Sequence, residues 1–168
     1  GVSDSAVNLF LRCDAEYLFT INLDTDSLFS SPLAFPNTTD INKDFSAITQ
    51  LTGLLANTKY YYRINFPAGI DVKKGSFTTF PEEGEAAHFT FVAGSCQETP
   101  NMKVFDVIPT HNPLFMVHSG DYTYPSYQLP SNYPQDWNTL PLSYRKRYEE
   151  AVMKDKLLPY VPLVYMPD

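Results

Sequence analysis

At 168 residues the chain has room for one domain or two small ones, and 43% apolar with 15% aromatic content is enough to build a core. Lys plus Arg number 12 against 19 Asp plus Glu, and the resulting net charge of -7 argues against a broad phosphate-backbone surface for nucleic acid. No apolar run approaches the roughly 18 residues of a membrane span. The chain starts at Gly1 with neither a basic n-region nor a hydrophobic signal core, so we expect a removed leader or a start inside a longer protein.

The first eighty residues read as strands separated by turns. Val7, Leu9, Leu11 and Cys13 alternate with polar or exposed positions, and Tyr17, Phe19, Ile21 and Leu23 do the same, as half-buried strands must. Pro32 to Asp44 reads as a loop, within which Asn37-Thr38-Thr39 is a glycosylation sequon, a triplet that also arises often by chance. Alternation resumes weakly at Phe45, Ala47, Thr49 and Leu51. Then Leu54, Thr58, Tyr60, Tyr62 and Ile64 fall two or four apart after Gly53, a string that resembles the strand-entry corner of fibronectin type III domains, with Ala56 where a proline is usual. Tyr60 is the expected corner tyrosine, its hydroxyl bonded to nearby backbone, closing an immunoglobulin-like β-sandwich. Gly75 to Phe80 is the expected last strand, and Pro81-Glu82-Glu83-Gly84-Glu85 has the composition of a linker.

Two short apolar runs follow. Phe89 to Gly94 stops at Ser95-Cys96-Gln97, and Pro113 to His118 stops at Ser119-Gly120-Asp121-Tyr122-Thr123-Tyr124. Both read as strands of a doubly covered parallel sheet. Between them Met102, Phe105 and Ile108 lie at helical spacing, about what a βαβ crossover needs. If the strands are neighbours, Cys96 and Asp121 leave the carboxyl edge together, where open α/β folds bind ligands. A broken, proline-containing loop then carries Tyr127, Tyr133 and Trp137, either a substrate wall or a surface loop pinned by its rings. Leu142 to Leu158 reads as one helix with Tyr144, Tyr148, Ala151, Val152 and Leu158 inward, ended by Pro159 and Pro162, and Leu163 to Met166 as a third buried strand.

Singly these motifs are weak. A lone Cys96 is more often a packed thiol than a ligand. Asp121 could start a turn, and His118 could face the core or act as a catalytic group, the structural role being favoured. Arg145-Lys146-Arg147 is the one local concentration of positive charge and reads as the solvated face of a helix. A cysteine-nucleophile hydrolase using Cys96 with His118 or His111 needs a thiol–imidazole pair that the sequence does not place together. Cys96, Asp121 and Tyr124 at corresponding ends of two parallel strands shift the balance towards a metal site.

Taken together, Gly94-Ser95-Cys96-Gln97, His118 to Tyr124, Tyr144-Arg145-Lys146-Arg147-Tyr148 and Pro162 to Asp168 make the chain resemble the N-terminal portion of the alkaline phosphatase D (PhoD-like) group of metallophosphoesterases. The resemblance implies two domains, an immunoglobulin/fibronectin III-like β-sandwich over 1–81 and the first part of an α/β metallophosphoesterase catalytic domain over 87–168. It implies a secreted or periplasmic hydrolase of phosphomonoesters or phosphodiesters with bound iron (ferric) and calcium. Carried over, Cys96 and Tyr124 would ligate iron, Asp121 would bridge iron and calcium, and Arg145 or Arg147 would assist phosphate binding. These types suit the metals, because calcium prefers hard oxygens and a ferric ion favours anionic thiolate and phenolate. The family's pattern continues past the first aspartate of its next motif, here Asp168, so the expectation is an inactive fragment. The rival expectation is a non-catalytic binding module whose α/β part is a degenerate remnant. The preferred ester and the oligomeric state are not legible.

Overall fold

The computed structural model describes residues 1–67, 70, 72–100, 102–132, 136 and 138–166, and the chain divides into two compact units, Gly1–Ala87 and His88–Asp168.

In the first unit, β1 (Ala6–Arg12) pairs antiparallel with β4 (Ser46–Thr52), while β3 (Leu33–Thr38), β2 (Leu18–Asp24), β5 (Lys59–Asn65) and β6 (Lys73–Thr78) form a second antiparallel sheet in that order. The period-two pattern dictates what is buried. Phe19, Ile21 and Leu23 of β2, Ala47 and Leu51 of β4, Tyr60 and Ile64 of β5 and Phe77 of β6 meet Val7 in one core between the two sheets. This is a β-sandwich, as the alternation of these strands foretold.

One element departs from expectation. The segment expected to be loop contains β3, running along β2 from Leu18 opposite Thr38 to Leu23 opposite Leu33. Pro36 is tolerated because β3 is an edge strand, where a missing N–H costs no ladder bond. Only Phe35 of its hydrophobic residues packs onto the core, so β3 carries a single apolar contact and its pattern is faint. The sequon is built into the fold: Asn37 Nδ2 donates to Ile48 O (3.2 Å) and Thr49 Oγ1 (2.9 Å), tying β3 to β4. Thr39 is fully buried, accepts from Tyr17 N at 2.8 Å and donates to Ala15 O.

The corner closes as expected. Tyr60 is buried, and its hydroxyl accepts from Leu55 N at 2.9 Å. Beside it Thr79, fully buried, accepts from Thr58 N (2.9 Å) and donates to Leu55 O (2.6 Å). The chain's entry into β5 is thus held by two side chains that satisfy backbone groups no ladder reaches.

In the second unit, β7 (Phe91–Gly94), β8 (Phe115–His118) and β9 (Leu163–Tyr165) form a parallel sheet with β8 in the middle. The short helix α1 (Val104–Val107) and a 3-10 turn over Ile108–His111 make the crossover, and Phe105 and Ile108 are its buried residues. A short helix α2 (Pro125–Gln128) follows β8; Tyr133, Trp137 and Asp168 lie outside the described residues.

The expected long helix is broken. α3 runs Leu140–Glu149, Glu150 turns out of helical geometry (φ -58, ψ 134), and a π-helical segment spans Val152–Leu157. The break shifts the helical phase, so Met153 and Leu157 are buried and Ala151, expected inward, is exposed. The sheet is also covered on one face only among the described residues. Met116 is buried with Phe105, Ile108, Met153, Leu157 and Val161, and Val92, Leu163 and Tyr165 pack on that cluster. On the alternate positions Phe91 (53%) and Val164 (45%) are exposed, and the Phe91 and Phe115 rings stack at 5.5 Å.

Replacing Tyr60 by Phe removes a buried hydrogen bond and should cost about 1 kcal/mol of stability. In urea melts the midpoint should fall, while Tyr61→Phe, at a half-buried ring on the opposite face of β5, should leave it unchanged. Equal midpoints for both variants would contradict the corner's role.

Candidate metal centre

Parallel pairing brings the two strand exits to one edge. Gly94 is opposite His118 in the ladder, and the loops beyond continue the pairing in irregular form. Ser119 N donates to Gly94 O (2.9 Å), Cys96 N to Gly120 O (3.2 Å) and Gln97 N to Asp121 O (2.9 Å). At this point both chains adopt the left-handed region, Cys96 at φ 60 and Asp121 at φ 52, following Gly120 at φ 108. For residues with a Cβ each such position costs about 1–3 kcal/mol and persists only where the surroundings enforce it.

That backbone puts the side chains together. Cys96 Sγ lies 3.3 Å from Asp121 Oδ2, donating its proton to the carboxylate. The Tyr124 hydroxyl hydrogen-bonds with the same carboxylate and with the Cys96 thiol. The Asp121 contact, then loss of water, then the Cys96 contact push the phenol's pKa above its ordinary value. Cys96 is exposed, so solvent and solutes reach the cluster. Three acidic groups therefore share protons at one accessible point. Once those protons leave, three negative charges face one another, an arrangement that a multivalent cation relieves.

The other sequence candidates are placed differently. His118 is buried (1% exposed) on the covered face, its ring edge-on to Tyr122 at 4.9 Å and 6.3 Å from Tyr165. Its packing is that of a core histidine. His111 ends the 3-10 turn, and the thiol faces a carboxylate and a phenol, not an imidazole. Cys13 and Cys96 are both free thiols. Arg145 is half-buried on α3.

Arg147 corrects the sequence reading outright. Far from a solvated helix face, its side chain is fully buried. Nε donates to Tyr122 O at 2.9 Å, Nη1 to Thr99 O at 3.4 Å and to Glu150 Oε1 at 2.7 Å, and Nη2 to Gln97 O. With all three nitrogens engaged by protein groups, it is not the phosphate ligand the resemblance suggested. A signal for this was present in the sequence: Arg147 falls four residues after Ser143 and three before Glu150, an opposite charge at i, i+3, and the structure buries all three.

Among the described residues no group of three or more His, Cys, Asp and Glu could hold a metal ion, because here the third donor is a phenol. No helix of the described residues is long and apolar enough to cross a membrane.

No family model matches the chain, and no curated protein matches it. A solved structure described as "Structure of PhoD" superposes with a TM-score of 0.80 at 19% sequence identity, covering 100% of this chain and 37% of that one. The fold is PhoD-like throughout. At that identity the likeness concerns fold, and it extends over both units, as the sequence motifs anticipated. The chain spans little more than a third of the length of that PhoD chain.

In the metal-free protein Tyr124 should ionise at higher pH than an ordinary tyrosine, since its hydrogen bond to the Asp121 carboxylate holds the phenol proton. Asp121→Asn removes the leading cause and should bring that ionisation down. The measurement is the ultraviolet difference titration of each form against its Tyr124→Phe counterpart, and an unchanged or higher value in Asp121→Asn would contradict the arrangement.

Proposed function

We propose that this crevice is one side of a binuclear metal centre in a phosphoric ester hydrolase of the alkaline phosphatase D type, acting on phosphomonoesters or phosphodiesters outside the cytoplasm. In this proposal 1–81 is the β-sandwich that accompanies the catalytic domain, and 87–168 is a part of that domain. The observation that carries it is the meeting of Cys96, Asp121 and Tyr124 at the carboxyl edge of a parallel sheet, with Sγ 3.3 Å from Oδ2.

The donor set fits a ferric ion. Thiolate, carboxylate and phenolate are anionic, and the first and last suit an oxidised, polarising metal. For calcium the fit is partial. Asp121 has a second oxygen to offer, but calcium takes roughly six to eight oxygens, more than this cluster supplies. We therefore propose that Cys96, Asp121 and Tyr124 would hold iron as part of its donor set, and that of these Asp121 alone would have an oxygen to offer calcium.

A metal pair, when bound, neutralises the ester's phosphoryl charge and makes water nucleophilic near neutral pH. The chain's own groups prepare for this in defined ways. Asp121 accepts hydrogen bonds from both neighbours in the metal-free state and exposes its oxygens when their protons leave. Cys96 and Tyr124 release those protons as the cation arrives, so uptake is coupled to proton loss and strengthens as pH rises. The left-handed backbone at Cys96 and Asp121 sets the direction of both donors before any ligand is present. The buried β8 histidine and the tyrosines around it exclude water beneath the cluster.

Ferric loading should give a visible phenolate-to-metal band that Tyr124→Phe weakens strongly, and Cys96→Ser should reduce iron affinity more than calcium affinity. Iron bound without colour, or a band indifferent to Tyr124→Phe, would remove the ligand assignment. Supplied with iron and calcium, the 168-residue chain should show no robust turnover of an aryl phosphate or an aryl phosphodiester. Robust turnover lost in Asp121→Asn would show that the calcium side is complete within the chain. Metal-free protein that binds no iron would favour a non-catalytic module instead.

A further inference from the structure

We infer that Arg147 is the positioning residue of this crevice: from beneath, its guanidinium grips main-chain carbonyls of both exit loops and so fixes the separation of Cys96 and Asp121. The residues it grips are adjacent to the donors. Gln97, whose carbonyl accepts from Nη2, follows Cys96, and Tyr122, whose carbonyl accepts from Nε, follows Asp121. Thr99 O, farther along the first loop, accepts from Nη1 at 3.4 Å. One planar cation thus spans two segments that are 25 residues apart in sequence, as Cys96 and Asp121 are.

The two loops also bond directly to each other, through Cys96 N to Gly120 O and Gln97 N to Asp121 O. Beyond the last ladder pair these two main-chain bonds join exits that belong to no strand, and each flanks a residue held at positive φ. Arg147 adds a second tie one peptide further along each loop, at Gln97 O and Tyr122 O. A guanidinium suits this task because its donors diverge in one rigid plane; a lysine ammonium offers a single nitrogen that cannot reach both carbonyls with good geometry. Glu150 keeps the cation in place. Its carboxylate, 7% exposed, lies 2.7 Å from Nη1, so the buried charge is compensated inside the protein.

The claim that Arg147 orders the loops stands on these contacts alone; only its consequence for iron rests on the metal-centre proposal. The test is amide hydrogen exchange in the metal-free full chain, read by NMR. In Arg147→Lys the Cys96 and Gln97 amides should exchange on the order of tenfold faster or more, while the Met116 amide, bonded to Pro162 O in the sheet, keeps its wild-type rate. Unchanged Cys96 and Gln97 rates would overturn the inference. Equal acceleration of Met116 would overturn it too, reducing Arg147 to a general brace of the core. If Arg147→Lys does not fold, Glu150→Gln decides the matter, with the same local acceleration expected and the same two contrary results. Ferric affinity of a folded variant should fall about tenfold with the Tyr124 band retained at saturation. Wild-type protein that takes up no iron would sink the metal-centre proposal and leave the exchange result to judge Arg147.

Discussion

A charged side chain with no access to water governs the second unit. Burying a guanidinium is costly unless its charge is paired and its nitrogens engaged, and here three main-chain carbonyls and one carboxylate engage all three nitrogens. Each of those partners constrains a different piece of chain. Glu150 leaves helical geometry at the residue whose side chain must reach Arg147, and its carbonyl then accepts from both Met153 N and Lys154 N at 2.9 Å. The restart in π-helical form carries Met153 and Leu157 into the core against Met116. The ion pair is thus continuous with the helix break, the break with the core, and the same cation with the loops bearing Cys96 and Asp121.

Around it half-buried phenols form an aromatic layer centred on the buried Tyr122. Tyr122, 1% exposed, stacks with Tyr144 at 6.1 Å and lies 5.6 Å from Tyr148 and 5.2 Å from Tyr165. Burial raises the pKa of Tyr122 and of Tyr148, so both keep their protons through the physiological range. Tyr124, two residues beyond Tyr122, is raised for a different reason, chiefly the neighbouring carboxylate. The chemistry of the motif therefore alternates: Asp121 and Tyr124 towards the crevice, Tyr122 into the layer.

Much of this was legible where a pattern repeats with the period of its element. β2 announces itself by Phe19, Ile21 and Leu23, and all three are essentially inaccessible. Tyr60 was legible because a corner needs one phenol at a fixed offset from strand entry. Cys96, Asp121 and Tyr124 were legible as a group, because parallel strands deliver their exits to one edge whatever the loops do. β3 was hidden because an edge strand needs neither a continuous ladder nor two buried faces, so Pro36 and Asn37 read as loop. Arg147 was hidden by its neighbours. In a run of three cations, composition suggests solvent, and only the helical phase with Ser143 and Glu150 marks the middle of the buried stripe. The second cover of the sheet was expected from apolar strands, yet an apolar sequence states a preference for burial and not what lies on top: Phe91 and Val164 remain exposed.

The register of β8 explains why one strand can serve both core and crevice. Its alternation sends Met116 and His118 to the covered face and Phe115 and Val117 to the other, and strict continuation would send Gly120 and Tyr122 to the covered face as well. Tyr122 does go there, into contact with His118 at 4.9 Å. Asp121 should then fall on the uncovered face, away from any donor on β7. Two successive positive φ values, 108 at Gly120 and 52 at Asp121, break that rule. They turn the exit over β7's own exit, where Gln97 N meets Asp121 O and the thiol meets the carboxylate. Glycine at 120 makes the first of these conformations inexpensive. Asp121 has no such freedom, and the hydrogen bonds across the loops, with the Arg147 contact to the next carbonyl, are what hold it there.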